Sequence, residues 1–198
     1  MEQILIKTNL MDEWMGKNKI NIVAICGSLR DESNTRIALT HALNASEKAG
    51  GETELIDLRH TKLPLFDPDD RRRGDAIMIK RVVRNADSIL LGTPVYHGMP
   101  SSALKNIFDY LGKDEFDKTV VGLLAAAGGN SYSHTLAQLR TGVRSVHGWV
   151  LPHEVGLRNA SDVFNERNEF VDQSLEERVN KLGRMLANYT VTQSGIQR

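Results

Sequence analysis

The chain has 198 residues, of which 40% are hydrophobic and 25% are charged, a composition typical of one globular domain with a substantial core. Basic and acidic residues each number 25, and this zero net charge argues against a broad electrostatic surface for nucleic acid or an anionic membrane. The single cysteine, Cys26, cannot form an intramolecular disulfide, which favours a reducing compartment.

The first 18 residues are interrupted by charges and lack the apolar core of a signal peptide. They are predicted to form an N-terminal extension before one domain at 19–198. No apolar run approaches the ~20 residues that a membrane-spanning helix needs. The sequence therefore predicts a cytoplasmic protein that contacts no membrane.

Five short apolar runs follow, and each predicts a β-strand. Four of them are nearly continuous, as expected for strands buried on both faces of a sheet. The predicted strands are 20–26, 53–58, 88–94, 119–127 and 149–157.

Amphipathic helical patterns lie between and after these strands. The second of them, for example, places Met78, Val82 and Ala86 on one face. The predicted helices are 34–49, 75–86, 101–111, 133–147 and 174–190. Regular alternation of strand and helix predicts an α/β doubly wound, five-stranded parallel sheet of the flavodoxin-like order 2-1-3-4-5, with helices on both faces.

In such a sheet, ligands bind beyond the carboxyl ends of the strands, where the strand order reverses. The loop after the first strand, "GSLRDESNT", carries short polar side chains and one arginine before a helix start. Helix N-termini and arginine both suit an anion such as phosphate. An alternative is a plain capped helix start, with Ser33 or Asn34 as the cap. The loop has neither a Walker lysine nor a three-glycine dinucleotide fingerprint.

The loop after the third strand, "GTPVYHGMPSSALKN", is stiffened by Pro94, Gly98 and Pro100. Tyr96 places an aromatic ring at the open end of the strand, so the loop suits the edge of a flat heterocycle. The alternative is that Tyr96 covers the core. For His97, a solvent-facing position is favoured over acid-base work.

The loop after the fourth strand, "AAAGGNSYSH", contains Gly128 and Gly129, where a ring can approach bare backbone. A lone glycine pair also occurs in ordinary turns. His134 is expected in the first turn of the next helix rather than in a catalytic role. Cys26 ends a buried strand and is interpreted as a small hydrophobic residue.

The blocks "GSLRxxSxT", "LPLFD", "GTPVYHGMPSSALKNIFDYL" and "AAAGG" together resemble the NADPH-dependent FMN reductase family, whose relatives include azoreductases and quinone or chromate reductases. The resemblance covers roughly residues 20–150. By this resemblance, side chains of the first loop match the phosphate-binding positions of the family. The second and third loops match its flavin-ring positions. The implied cofactor-binding residues are Ser28, Arg30, Ser33, Asn34, Thr35, Pro94, Val95, Tyr96, His97, Gly98, Gly128 and Gly129.

Two features depart from the family pattern. Thr35 stands where asparagine is common, which exchanges one hydrogen-bond donor for another. Asp31 and Glu32 place two acids beside the expected phosphate. Carboxylates that face solvent are screened within ~8–10 Å, whereas carboxylates that face inward weaken FMN binding.

The resemblance implies an enzyme that uses FMN and NADPH (or NADH). Hydride passes from the nicotinamide to the flavin, and electrons pass on to a small acceptor such as free flavin, a quinone, an azo compound or a metal oxyanion. No catalytic side chain and no metal site is predicted, because the cofactor carries the chemistry. A homodimer or homotetramer is also implied. The alternative is a flavodoxin-like electron-transfer module that needs a partner reductase.

Overall fold

The computed structural model describes residues 20–196. The extension predicted for residues 1–18 lies outside the described residues, and the domain boundary at residue 19 stays a prediction. Within the described residues, no helix combines the length and the apolar character needed to cross a bilayer.

Among residues 20–196, seven strands form the sheet. They are β1 (Ile20–Cys26), β2 (Gly51–Asp57), β3 (Ser88–Tyr96), β4 (Met99–Pro100), β5 (Val120–Ala126), β6 (Trp149–Val150) and β7 (Val155–Leu157). The helices are α1 (Asn34–Lys48), α2 (Ala76–Arg84), α3 (Ser102–Tyr110), the one-turn α4 (Lys113–Phe116), α5 (Ser133–Ser145) and α6 (Gln173–Ile196). Two 3₁₀ helices, Leu58–His60 and Ala160–Asp162, lie between them.

The strands confirm the flavodoxin-like class but differ from the prediction in number. The main order is β2-β1-β3-β5-β6, and β7 also pairs with β5. All these pairings are parallel. The predicted order 2-1-3-4-5 is obtained when β5 is counted fourth and β6 with β7 fifth. The prediction of five strands was wrong because it missed the antiparallel β4 and joined β6 to β7.

The predicted fifth strand is broken around Pro152. β6 pairs with the start of β5, at Val120 and Val121, and β7 pairs with its end. Proline has no backbone N–H to donate to a strand ladder, so the segment between the two pieces leaves the sheet.

The core has two layers, one on each face of the sheet. On one face α1 and α6 pack against β1. The two helices approach each other closely at Gly183 of α6, where an added Cβ would lie 2.0 Å from the carbonyl oxygen of Ala42 in α1. On the other face lie α2, α3 and α5. The buried side of α2 consists of Ala76, Ile79 and Val83, whereas Met78 is exposed. Of the predicted stripe, Val82 and Ala86 are partly buried and pack against this layer, whereas the position predicted for Met78 was wrong.

Candidate functional site

The carboxyl ends of three neighbouring strands meet at one edge of the sheet. Cys26, the last residue of β1, lies in register with Gly92 of β3. Further along β3, Pro94 lies in register with Ala126, the last residue of β5. The loops that follow β1, β3 and β5 therefore leave the sheet side by side, as predicted from the sequence.

Gly27 joins the first loop to the start of α3. Its N–H donates to the carbonyl oxygen of Gly92 at 2.8 Å, and its carbonyl oxygen accepts from Ser101 Oγ at 2.7 Å. A Cβ at Gly27 would lie 2.7 Å from Cβ of Leu104. Only glycine fits this close approach, which brings the first loop directly beside the N-terminus of α3.

The first loop ends in a capped helix. Ser33 is the N-cap of α1, and its Oγ accepts from the N–H of Arg36 at 3.1 Å. The cap accounts for only one of the four N–H groups that a helix leaves without intrahelical acceptors. The N–H groups of Asn34 and Thr35 lie in the same first turn. The cap predicted as an alternative is therefore present, and it leaves donors for an anion.

The charged residues of this loop have different surroundings. Arg30 is exposed, and no hydrogen bond or ion pair of its guanidinium is found between residues 20 and 196. The carboxylate of Asp31 is exposed and forms an ion pair with Arg59. Glu32 is exposed too, without a charged partner in the same range. One of the two acids is therefore offset by a cation, and Arg30 keeps its charge available.

A network that sequence reasoning missed holds this loop. Arg36 Nη1 lies 2.8 Å from Oδ2 of Asp57, the last residue of β2. Oδ1 of Asp57 accepts from the N–H of Arg59 at 3.1 Å. The sequence offers one signal for this network, the acid Asp57 at the end of the strand beside β1. Only the tertiary structure shows that Arg36 and Arg59 are its partners.

The second loop is a tight hairpin. β3 and β4 pair as Val95 with Pro100 and Tyr96 with Met99. His97 and Gly98 form the tip, with φ values of 53° and 77°, as the two central residues of a type I′ turn require. His97 is exposed, as favoured from the sequence.

Two hydrogen bonds fix this hairpin above the sheet. Gln138 of α5 donates to the carbonyl oxygen of Gly98 at 3.1 Å. Thr93 Oγ1 accepts from the N–H of Ser101 at 2.9 Å. Tyr96, 49% exposed, does not cover the core, so its ring is available at the open end of β3.

The third loop exposes bare backbone. A Cβ added at Gly128 or Gly129 would meet no atom within 4 Å, and neither residue has a positive φ. The loop is held in place because Asn159 N–H donates to the carbonyl oxygen of Gly129 at 3.1 Å. The fold itself does not require glycine at these two positions. Their open space suits the approach of a flat ring.

A cleft of about 640 Å³ opens beside the first loop. Its walls come from the first loop, the segment after β2 and the first turns of α3, and they include Leu29, Asp31, Arg59, Leu65 and Asn106. Tyr96, Gly128 and Gly129 lie outside this lining. The predicted ring-binding residues therefore do not form part of this cleft.

Cys26 lies beneath the first loop and is fully buried. Burial raises the pKa of its thiol to about 11, and the nearby carboxylate of Asp57 adds to the rise. Since the thiolate is the reactive form, the thiol is inert at neutral pH. This agrees with its interpretation as a small hydrophobic residue.

Comparison with known proteins gives consistent matches. A family model described as NADPH-dependent FMN reductase matches residues 20–162. The chain is 33% identical over 141 residues to an NADPH azoreductase of Bacillus sp. (strain OY1-2), covering 70% of this chain and 76% of that protein. It is 31% identical over 152 residues to an FMN-dependent NADPH-azoreductase of Staphylococcus aureus (strain USA300), covering 74% of this chain and 81% of that protein.

Solved structures share the fold at lower identity. A flavoenzyme NAD(P)H:acceptor oxidoreductase from Paracoccus denitrificans superposes with a TM-score of 0.74 at 15% identity, covering 88% of this chain and 98% of that one. An apo NADH:FMN oxidoreductase gives a TM-score of 0.67 at 20% identity, with coverages of 86% and 90%. A flavodoxin from the domain Archaea gives 0.64 at 12% identity, with coverages of 86% and 99%. At these identities the likeness shows the fold alone.

Proposed function

The chain belongs to the NADPH-dependent FMN reductase family, and from that premise we infer how its three-loop site holds the cofactor. The protein is an FMN-dependent NAD(P)H oxidoreductase. Its cofactor phosphate lies against the first loop and the first turn of α1. The flavin ring is held by the β3–β4 hairpin and the Gly128–Gly129 backbone.

The observation that supports this placement is the different chemistry of the two ends of the site. At one end, the guanidinium of Arg30 has no partner among residues 20–196, and the first turn of α1 offers N–H groups. At the other end, Gly128 and Gly129 are open although the fold does not need glycine there. FMN has the same two ends, a dianionic phosphate and a flat heterocycle.

FMN, when bound, would supply the redox chemistry, namely hydride transfer from the nicotinamide and two-electron transfer to an acceptor. The residues of the chain bind and orient it. Arg30, Ser28, Ser33, Asn34 and Thr35 hold the phosphate end by charge-assisted and neutral hydrogen bonds.

The ring end is bound by the backbone of both other loops. Pro94, Val95, Tyr96, His97 and Gly98 would hold one edge of the ring, and Gly128 and Gly129 would hold the other. The hairpin is rigid because the two bonds from Gln138 and Thr93 fix it, so its N–H groups are oriented before the cofactor arrives.

We further propose that the acceptor is a small molecule, with azo compounds first among the candidates. Two relatives named as azoreductases favour them. Free flavin, quinones and metal oxyanions are the other acceptors to test. A cytoplasmic location and a homo-oligomeric state complete the proposal.

The competing function is a flavodoxin-like electron-transfer module. Such a module binds FMN but needs a separate reductase, and the archaeal flavodoxin shares the fold. The family match over residues 20–162 favours the enzyme. Direct reduction of the bound flavin by NADPH separates the two functions.

The test starts with the purified full chain and FMN under anaerobic conditions. We expect a bound-flavin absorbance spectrum that bleaches on addition of NADPH, without any partner protein. Addition of an azo dye should then restore the oxidised spectrum as the dye loses its colour. Bound flavin that NADPH does not bleach would support the electron-transfer module, and failure to bind FMN would refute both functions.

A further inference from the structure

Two arginines hold the backbone of the first loop by its carbonyl oxygens. Arg59, in the 3₁₀ helix after β2, donates through Nη1 to the carbonyl of Leu29. Arg36, in the first turn of α1, donates to the carbonyls of Arg30, at 3.4 Å, and Asp31. Three consecutive carbonyl groups are therefore directed towards guanidinium groups.

One carboxylate contacts both arginines, Arg36 through its guanidinium and Arg59 through its backbone. Asp57 Oδ2 accepts from Arg36 Nη1 at 2.8 Å, and Asp57 Oδ1 accepts from the backbone N–H of Arg59 at 3.1 Å. The side chain of Asp57 is only 12% exposed, so solvent screens this pair less than a surface pair. Asp57 lies in register with Cys26, directly beside the start of the loop. The sheet thereby sets the position of the network.

The geometry of the peptide bond turns these contacts into an anion-binding arrangement. In a planar trans peptide, the N–H points opposite to the preceding C=O. Because the carbonyls of Arg30 and Asp31 face Arg36, the N–H groups of Asp31 and Glu32 face away from it. Successive N–H groups on one side of a loop form a concavity that binds anions.

We propose that Arg36 and Asp57 are positioning residues for the phosphate of FMN. They do not bind the phosphate themselves. They hold the loop carbonyls on one side, so that the loop N–H groups and Arg30 are presented together on the other. This inference rests on the proposed function, and it assigns roles to two residues outside the predicted binding set.

A purely structural role for Arg36 would have a different consequence. Loss of general stability would weaken the binding of every flavin alike. Loss of phosphate positioning would weaken the binding of FMN but not that of riboflavin, which has the same ring and lacks the phosphate. The ratio of the FMN and riboflavin dissociation constants therefore distinguishes the two roles.

The decisive variant is Arg36→Lys in the full chain. Lysine keeps the positive charge but has one nitrogen in place of the planar fork, so it cannot reproduce the separate contacts of Nη1 with Asp57 and of Nη2 with the Asp31 carbonyl. Asp57→Asn is the second variant, because it keeps the shape of the side chain and removes its charge. Arg184→Lys, at an exposed ion pair with Glu177 on α6, is the matched control.

Fluorescence titrations with FMN and with riboflavin measure the effect, and circular dichroism checks the fold of each variant. For Arg36→Lys we expect FMN affinity to fall roughly tenfold or more, with riboflavin affinity unchanged. Asp57→Asn should also raise the ratio of the FMN dissociation constant to the riboflavin dissociation constant. Arg184→Lys should leave this ratio unchanged. If Arg36→Lys does not fold, Asp57→Asn alone decides.

An unchanged FMN-to-riboflavin ratio in the folded variants would overturn the positioning role. It would leave the proposed function intact as long as the unmodified chain binds FMN. Failure of the unmodified chain to bind FMN would instead refute the proposed function, and the positioning role with it.

Discussion

At the scale of single residues, the arginines around the first loop divide by their partners. Arg36 and Arg59 are already bound to Asp57, to Asp31 and to loop carbonyls. The guanidinium of Arg30 has no such contact among the described residues. A cation that is exposed and unpaired beside a helix N-terminus gains most from an incoming phosphate.

We therefore expect Arg30→Ala to weaken FMN binding by about 1.5–3 kcal/mol, the range for a lost charge-assisted hydrogen bond. Riboflavin binding should not change, because riboflavin lacks the phosphate. A fluorescence titration of both flavins checks this. Arg72→Ala, at an exposed arginine before α2, is the control. Equal affinity for FMN before and after the change at Arg30 would contradict the assignment.

The buried thiol of Cys26 leads to a separate prediction about how the stability of the fold depends on pH. Burial raises the pKa of its thiol from 9.0 to about 11, so the folded state keeps the proton after the unfolded state has lost it. The unfolded state then binds fewer protons, and stability must fall as pH rises through this window. The loss from this one group amounts to about 2–3 kcal/mol.

Urea unfolding at pH 8 and at pH 11 measures the effect, with Cys26→Ala as the comparison. We expect the alanine variant to lose less stability between the two pH values than the unmodified protein. Lysine and tyrosine titrate in both proteins, so the difference isolates the thiol. Equal losses in both proteins would show that the thiol does not remain protonated in the folded state.

At the scale of elements, the loop between β5 and α5 is expected to contribute to flavin binding but not to the stability of the fold. Valine in place of Gly128 would project into open space and would not need a positive φ. Gly128→Val should therefore leave the unfolding free energy within about 0.5 kcal/mol of its original value. The substitution should weaken the binding of FMN and of riboflavin alike, because both carry the ring that this backbone is proposed to contact.

Gly112→Val is the matched control, since a Cβ at Gly112 also meets nothing within 4 Å and the residue precedes α4. Flavin titration and thermal unfolding of both variants complete the test. Unchanged affinity for both flavins in Gly128→Val would show that the ring does not approach this loop.

The elements also show which parts of the fold could be predicted from the sequence. β1, β3 and β5 were predicted because their apolar runs are continuous and both faces are buried. The hairpin at His97 was interpreted only as a rigid loop, since a positive φ at a histidine has no clear sequence signal. On α2, Val82 and Ala86 pack against the core as predicted, but Met78 was misassigned because its apolar neighbour Ile79 fits the helical period equally well.

The same limit applies to the site. The loops carried recognisable residue types at strand ends, and register alone brought the ends of β1, β3 and β5 together. The contacts of Arg36 with Asp57 and of Arg59 with Leu29 join residues 21 and 30 positions apart. Such pairs depend on tertiary packing, which no local pattern encodes.

At the scale of the whole molecule, large apolar side chains remain exposed around the cleft and the hairpin. Leu29 and Leu65 line the cleft, and Tyr96 and Met99 lie on the hairpin. Single exposed apolar residues are ordinary on a protein surface, but clusters beside a binding site mark interaction surfaces. The homo-oligomer proposed above would bury some of these side chains, and the exposed residues of the cleft are the first to test.

We therefore expect light scattering after size exclusion to give two or four times the chain mass of 22.1 kDa. Leu65, with 82% of its surface exposed, contributes little to the monomer core, so Leu65→Asp should shift the mass towards 22.1 kDa without lowering the unfolding temperature. Val171→Asp, at another exposed apolar residue that does not line the cleft, should leave the mass unchanged. A monomeric mass for the unmodified protein at every concentration would contradict association, and an intact oligomer in Leu65→Asp would place the interface away from the cleft.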